Sequence, residues 1–325
     1  GRSVAEVRIP FLIIAFLLLA TFALPSMQHR DPPPAVSFVR FTPIALDQDA
    51  PGLKRLGRLD FLGAWVLTSN DVRIGGISAI HVEGGEALAM SDAGWHIRFP
   101  LPTARALVRA QVAMVEEGPG PPGDKINRDV ESLVVQGGSA WLGFEQANAV
   151  WRYDRRSFQA RSSAAPPAMS KWSENAGPEA MVRLADGRFL VFAEGQSGGS
   201  EVALFAGDPS LAGTPALRLR YRPPQGYRVT DAALLPDGRL ALLNRRVSLF
   251  SGFTARLVVA RLPELREGAV IAGEVAAEFD GDVTRDNLEG LSVTREGART
   301  ILWIASDDNY NPLQRTLLMK FALAR

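Results

Sequence analysis

The stretch Glu131-Ser132-Leu133-Val134-Val135-Gln136-Gly137-Gly138-Ser139-Ala140-Trp141-Leu142-Gly143-Phe144-Glu145 decides the fold. It is an acid, a short apolar run, a Gly-Gly pair, a second apolar run and another acid. Glycine reaches the positive φ that tight hairpin turns need, and the flanks have strand length and strand composition. The segment reads as a β-hairpin with a polar group at each end. The pattern recurs four more times. Ser78 leads through Gly84-Gly85 to Asp92 and aligns with the first segment without a gap. Glu179 leads through Asp186-Gly187 to Glu194, and Asp231 through Asp237-Gly238 to Asn244 and Arg245. Glu289 leads through Glu296-Gly297 to Ser306-Asp307-Asp308-Asn309. Successive starts lie 53, 48, 52 and 58 residues apart. A hairpin-bearing period of roughly 50 residues marks a β-propeller of four-stranded blades.

Each period has room for a second pair of strands, at 107–115, 149–153, 202–205 with 217–221, 257–260 with 273–279, and 316–321. The last copy runs out of chain one strand short. Val36 to Ile44 or Leu59 to Leu67 can supply the missing strand from the other end and remove an exposed sheet edge. The expected fold is all-β: a β-propeller of five to six four-stranded blades, the ring closed by N- and C-terminal strands. Five blades are counted directly, and residues 36–70 leave a sixth open.

Phe11 to Leu24 is an apolar run broken only by Thr21, preceded by Arg2 and Arg8 and followed by Pro32-Pro33-Pro34. It is short for a spanning helix, which needs about 20 residues. Residues 1–27 are expected to form an apolar helix serving as signal peptide or membrane anchor, 28–35 a linker, and 36–325 the propeller. The domain is then periplasmic, either tethered to the inner membrane or released after cleavage. The net charge of +1 is spread without a basic, aromatic-interleaved patch, which argues against nucleic acid. Cysteine is absent, so there is no disulfide framework, thiolate metal site or cysteine nucleophile.

In a propeller the innermost strands line a central channel, so Ser78, Glu131, Glu179, Asp231 and Glu289 are expected around one mouth. The returning strands deliver Asp92, Glu145, Glu194, Asn244, Arg245, Asp307, Asp308 and Asn309 to the same face. Crowded carboxylates repel unless protonated or neutralised. Oxygen-rich clusters suit hard cations such as Ca²⁺. A structural alternative stands beside this one: acids at strand starts can accept backbone N–H groups and lock blades together. Gly195-Gln196-Ser197-Gly198-Gly199 has the spacing of a nucleophile elbow, but a strand follows it where a helix is required. The three histidines, His29, His81 and His96, all precede it. Trp95, Trp141, Trp151, Trp172 and Trp303 read as inter-blade packing, and Arg98, Arg128, Arg245 and Arg315 as partners of the acids.

Residues 56–324 resemble the phytase-like domain family, "esterase-like activity of phytase". The resemblance is carried by Gly75-Gly76-Ile77-Ser78-Ala79-Ile80 with Ala89-Met90-Ser91-Asp92, and by Asp129-Val130-Glu131-Ser132-Leu133 with Phe144-Glu145. It extends through Asn175-Ala176-Gly177-Pro178-Glu179-Ala180-Met181 with Glu194. Its most specific portion is Asn287-Leu288-Glu289-Gly290-Leu291, then Ser306-Asp307-Asp308-Asn309-Tyr310-Asn311-Pro312 and Gln314-Arg315-Thr316. The family is similar in blade logic to calcium-dependent alkaline phytases, which implies a small-molecule ester or phosphate ester substrate. The expected function is an exported, metal-dependent ester hydrolase. Glu131, Glu179, Asp231, Glu289, Asp307 and Asp308 would hold Ca²⁺, Asp92 or Glu145 would act as general base, and Arg245 or Arg315 would steady negative charge. The alternatives are a non-catalytic propeller that binds a ligand or protein, and a Ca²⁺-dependent lactonase-like enzyme.

Overall fold

The computed structural model describes residues 32–121, 127–173, 175–195 and 199–324. The expected N-terminal apolar helix at 1–27, the first half of the linker (28–31) and Ser197 lie outside these residues. Among the described residues there are strands and turns but no α-helix, and no helix long and apolar enough to cross a membrane.

Blade one comprises Ile77–Glu83, Glu86–Ser91, Trp95–Pro100 and Ala106–Met114, and blade two Val130–Gln136, Ser139–Phe144, Ala149–Asp154 and Ala160–Ala164. Blade three comprises Pro178–Arg183, Phe189–Ala193, Ser200–Phe205 and Ala216–Tyr221, with the short Val270–Ile271 added parallel at its edge. Blade four comprises Arg228–Leu234, Leu240–Ser248, Gly252–Ala260 and Gly273–Phe279. Blade five comprises Asn287–Glu296, Arg299–Asp307 and Thr316–Leu323, completed by Leu59–Ser69, which pairs antiparallel with Thr316–Leu323. The first strands of the five blades touch one another in ring order, and the fifth returns to the first. The repeat hairpins are therefore the inner hairpins.

The ring closes at five, and the sixth blade left open by residues 36–70 is not formed. Leu59–Ser69 closes blade five, and Ser37–Ile44 lies between it and Ala106–Met114 of blade one, antiparallel to both. Both blades offer an outer edge at this seam, and one strand satisfies both. Its buried residues Val39 and Phe41 anchor it, with the Phe41 ring 5.7 Å from that of Phe99.

The core lies between the blades. Five buried clusters fill five seams, among them Leu88, Met90, Leu142 and Phe144 between blades one and two. Trp141, Met181, Phe189 and Phe205 fill the next seam, with the Trp141 ring 5.2 Å from that of Phe189. Trp65 stacks on Trp303, centroids 6.5 Å apart, between blades five and one. A blade interior is thus buried on both faces, so its strands are continuously apolar rather than alternating. Phe189–Ala193 is buried at every position. At the blade-one turn, Gly84 and Gly85 sit at φ of 60° and 85°, the left-handed pair that a two-residue hairpin loop requires.

Polar locks stitch the seams. The Ser78 hydroxyl donates to the Val130 carbonyl, Ser132 Oγ to Pro178 O at 2.6 Å, and Thr230 Oγ1 to Leu288 O at 3.2 Å. Asp231 is buried between blades four and five, where Oδ2 accepts Leu291 N–H at 2.6 Å and Oδ1 accepts Ala232 N–H at 2.8 Å. Removing such an acceptor strands a buried donor. Asp231→Ala is expected to lower unfolding free energy by roughly 2–4 kcal/mol in urea titrations, with unchanged cation affinity. A loss within experimental error would show that the seam does not depend on this carboxylate.

Candidate functional site

All five inner hairpins carry a register shift at the same place. It falls between Ile77 and Ala79, Val130 and Ser132, Pro178 and Ala180, Val229 and Asp231, and Leu288 and Gly290. A bulge leaves one residue without a cross-strand partner and re-aims its side chain. The bulged residues are Ser78, Glu131, Glu179, Thr230 and Glu289. One step nearer the mouth, the returning strands place Asp92, Glu145, Glu194, Arg245 and Asp307. Opposite them stand Gly76, Asp129, Gly177, Arg228 and Asn287.

Blade four is therefore one residue out of step with the sequence repeat. Its bulged residue is Thr230, while Asp231 turns into the seam as a lock. Its returning residue is Arg245, while Asn244 is fully buried, accepting from Tyr221 Oη at 3.0 Å and donating to Leu242 O at 3.0 Å. Where the other blades bring acids, blade four brings Thr230, Arg228 and Arg245, so the mouth has one cationic side.

Blade two supplies the densest group. One carboxylate oxygen from each of Asp129, Glu131 and Glu145 lies within 4.8 Å of the others. Asp129 stands beside both Glu131 and Glu145, and Glu145 beside Glu179. Carboxylates this close repel one another unless protons or a cation offset their charge. Burial first, then the charges of Asp129, Glu179 and Glu289, push Glu131 well above the usual carboxylate range. Burial, with Asp129 and Glu194 nearby, pushes Glu145 up to about 7. Glu179 is raised by burial beside Glu194 and Glu145, against the pull of Arg245.

A second group lies across the axis. Glu289 is paired with Arg245 and hydrogen-bonded to Asn287 at 3.0 Å and to Asp307. Asp307 is buried and raised by desolvation beside Glu289 and Asp92. Arg245 also reaches Asn287 and, at 3.5 Å, Glu194, whose other oxygen accepts from Arg228 at 2.8 Å. Among the described residues, Arg245 and Arg228 are the cations paired with this cluster.

Three expected site residues do other work. Asp308 accepts Gly76 N–H at 2.8 Å, Tyr310 N–H at 3.0 Å and the Thr316 hydroxyl at 2.7 Å, which fixes the loop over blade one. Asn309 and the following Tyr310 both have left-handed backbone, φ 49° and 50°, a strained pair held by Asp307 Oδ1 accepting Asn309 N–H at 2.6 Å. This swings the Tyr310 ring over Gly76, where a Cβ would meet it and Asp92 Oδ1 at 2.5 Å. Arg315 stands away from the acids on the rim, 3.6 Å from Asp286 and donating to Arg285 O at 2.9 Å. Arg128 and Arg98 spend their guanidinium groups on backbone carbonyls. His96 stacks on Phe158 at 4.1 Å, and burial lowers both His96 and His81 to about 4.

Asp129, Asn287, Arg228 and Tyr310 were missed as site residues. The first three share one signal, since each lies two residues before a bulge position, on the same side of a strand.

The geometry defines a five-bladed propeller with a bipolar, acid-rich mouth. Residues 72–310 match the family model "Phytase-like: Esterase-like activity of phytase", and the chain belongs to that family. Among solved structures it is similar to Myxococcus xanthus glutaminyl cyclase: 10% identity, 78% of this chain and 93% of that chain covered, TM-score 0.44. It is also similar to the Malassezia sympodialis allergen Mala s 1, with 9% identity, coverage of 77% and 94%, and TM-score 0.46. The β-propeller domain of Myceliophteria thermophila Cps50 (Swd1) matches with 11% identity, coverage of 89% and 100%, and TM-score 0.38. No curated protein matches.

An acid whose pKa is raised by folding stabilises the fold below its unfolded value, here 4.5, and that contribution is lost as pH climbs through the folded value, about 7 for Glu145. The lowered carboxylates Asp71, Asp186 and Asp237 act the other way, but only as pH falls below their ordinary 3.8. His81 and His96, lowered by burial from 6.5 to about 4, also act the other way and raise stability as pH climbs from 4 to 6.5. In chelator, unfolding free energy is therefore expected to fall between about pH 6.5 and 7.5. Denaturant titrations that stay flat or rise across that window would contradict the clustering.

Proposed function

We propose that the mouth is the active site of a divalent-cation-dependent ester hydrolase and that the cation is Ca²⁺. The observation that carries this is the convergence of Asp129, Glu131 and Glu145 from one hairpin. The donor set fits: it is all hard oxygen, without nitrogen or sulfur. Three carboxylates also leave room in a shell of six to eight oxygens for carbonyls, water and substrate. Bound there, Ca²⁺ would polarise an ester oxygen and make bound water more acidic. Glu179, adjoining the triad through Glu145, would serve as the general base. Arg245 and Arg228, on the cationic side, face negative charge developing on the ester. Asp92, grouped electrostatically with Glu289, Asp307 and Tyr310, belongs to the opposite group and shapes it. Phosphate and carboxyl esters are the substrate classes that the family description supports. The apolar run at Phe11–Leu24 behind Arg2 and Arg8 supports export, so the protein is expected in the periplasmic or membrane fraction.

The test uses p-nitrophenyl phosphate and p-nitrophenyl acetate with Ca²⁺ and with chelator. Turnover is expected to require Ca²⁺, and Glu131→Gln should lower kcat/KM by about a hundredfold or more. Chelator-insensitive turnover, or an unaffected Glu131→Gln variant, would remove the cation from the mechanism. Calcium-dependent melting with no turnover on either ester would leave a binding propeller.

Glu179→Gln separates proton transfer from cation binding. It is expected to lower kcat about 10²–10⁴-fold with Ca²⁺ affinity within a few-fold of the parent. Equal losses in both would make Glu179 a ligand instead.

A further inference from the structure

The hairpin formed by blade four's second and third strands reaches further on the mouth side than its counterparts. The returning strands of the other blades end at Ser91, Phe144, Ala193 and Asp307, at or before the position that Arg245 occupies. This one runs on to Ser248 and stays paired through Arg246–Thr254, Val247–Phe253 and Ser248–Gly252. At about 3.4 Å per residue its tip stands roughly 10–15 Å beyond Arg245. The turn is fastened: Ser248 Oγ lies 2.8 Å from Ser251 Oγ and accepts the N–H groups of Phe250 and Ser251 at 3.3 and 3.1 Å. Yet this ordered turn carries Leu249 at 82% exposure and Phe250 at 97%, with Val247 at 53% below them. Turn chemistry calls for small polar residues there, not for a leucine and a phenylalanine in water.

A cavity of about 380 Å³ opens beside the hairpin; Phe253 and Val283 are its apolar lining, and the rest is polar, with Ser251, Asp282, Asp286 and Arg315 among it. The loop that brings in Arg315 carries another bare apolar side chain, Leu313, at 80% exposure. The cavity adjoins the acid cluster, since Asp286 in its lining precedes Asn287, whose Oδ1 accepts from Arg245. The mouth offers charge and polar oxygen. The apolar surface beside it lies on these two tips.

We propose that the exposed apolar side chains of the Val247–Phe253 hairpin, with Leu313 beside them, hold the apolar part of the substrate, so that the substrate is an amphiphile: an ester bearing an alkyl or acyl chain. This rests on the mouth being an ester-hydrolysing site. The ester sits at the carboxylate triad and arginines, and the chain runs outward along the hairpin. Leu249 and Phe250 are specificity residues and take no part in bond breaking.

Calorimetry of the full chain in Ca²⁺ with methyl-, butyl- and octylphosphonate, all below their micellar range, tests this. A fully buried methylene is worth about fourfold in affinity. On a half-open hairpin, octylphosphonate is expected to bind at least about tenfold tighter than butylphosphonate. Leu249→Ser combined with Phe250→Ser, both exposed and so harmless to folding, should reduce that gain below about twofold and leave methylphosphonate affinity unchanged. Equal affinity for butyl- and octylphosphonate in the parent, or an undiminished gain in the double variant, overturns the proposal. Absence of ester turnover with the chain-length gain intact would defeat the hydrolase reading and support this one. If the double variant loses binding to phosphatidylcholine vesicles while keeping the octyl gain, the tip serves a bilayer and the proposal fails.

Discussion

Like charge crowded around one axis is the constraint that everything else in this molecule serves. Two carboxylates 5 Å apart repel by about 3 kcal/mol in an effective dielectric of about 20. Here they form a chain of carboxyl–carboxyl contacts, Glu131 to Asp129 to Glu145 to Glu179, with Glu289 and Asp307 joined across the mouth. Arg245 and Arg228 balance part of that charge, and the remainder is met by protons or by a cation.

The five seams hold the cluster in place against this repulsion. Each is filled by apolar side chains from two blades and closed by hydroxyl or carboxylate locks, so no blade can retreat from the axis without opening a packed interface. The recurrent bulge is the device that couples the two. It turns one residue per blade out of the apolar ladder and towards its neighbours at the mouth. In blades two, three and five that residue is a glutamate. In blades one and four it is a hydroxyl that bonds the next blade instead. The same backbone feature thus makes a site in one place and a weld in another, and the side chain decides which.

Much of this was legible in the sequence, because hairpin turns and continuous apolar runs are local signals. The five inner hairpins, the closure by an N-terminal strand and the gathering of Glu131, Glu145, Glu179, Glu194, Glu289 and Asp307 follow from the repeat alone. Side-chain register was less legible. Asp231 is the acid that best continues the repeat, yet the bulge falls at Thr230, and a one-residue slip moves a strand's side chains to the other face. Asp129 was overlooked because it precedes the repeat pattern, though its i, i+2 relation to Glu131 puts both on one side. Asp308 and Arg315 lie in a loop whose left-handed residues set its path, and no periodicity reports on that. The use of Ser37–Ile44 as a bridge between blades five and one depends on two edges meeting in space, which only closure of the ring reveals.

The most direct measurement is anomalous diffraction from crystals of the chain grown with Ca²⁺. A peak among the carboxylates of Asp129, Glu131 and Glu145, lost in crystals of Glu131→Gln, is the expected result. Ordered Ca²⁺ elsewhere on the surface with none at this triad, or a mouth bridged by protons alone at neutral pH in excess Ca²⁺, would contradict it.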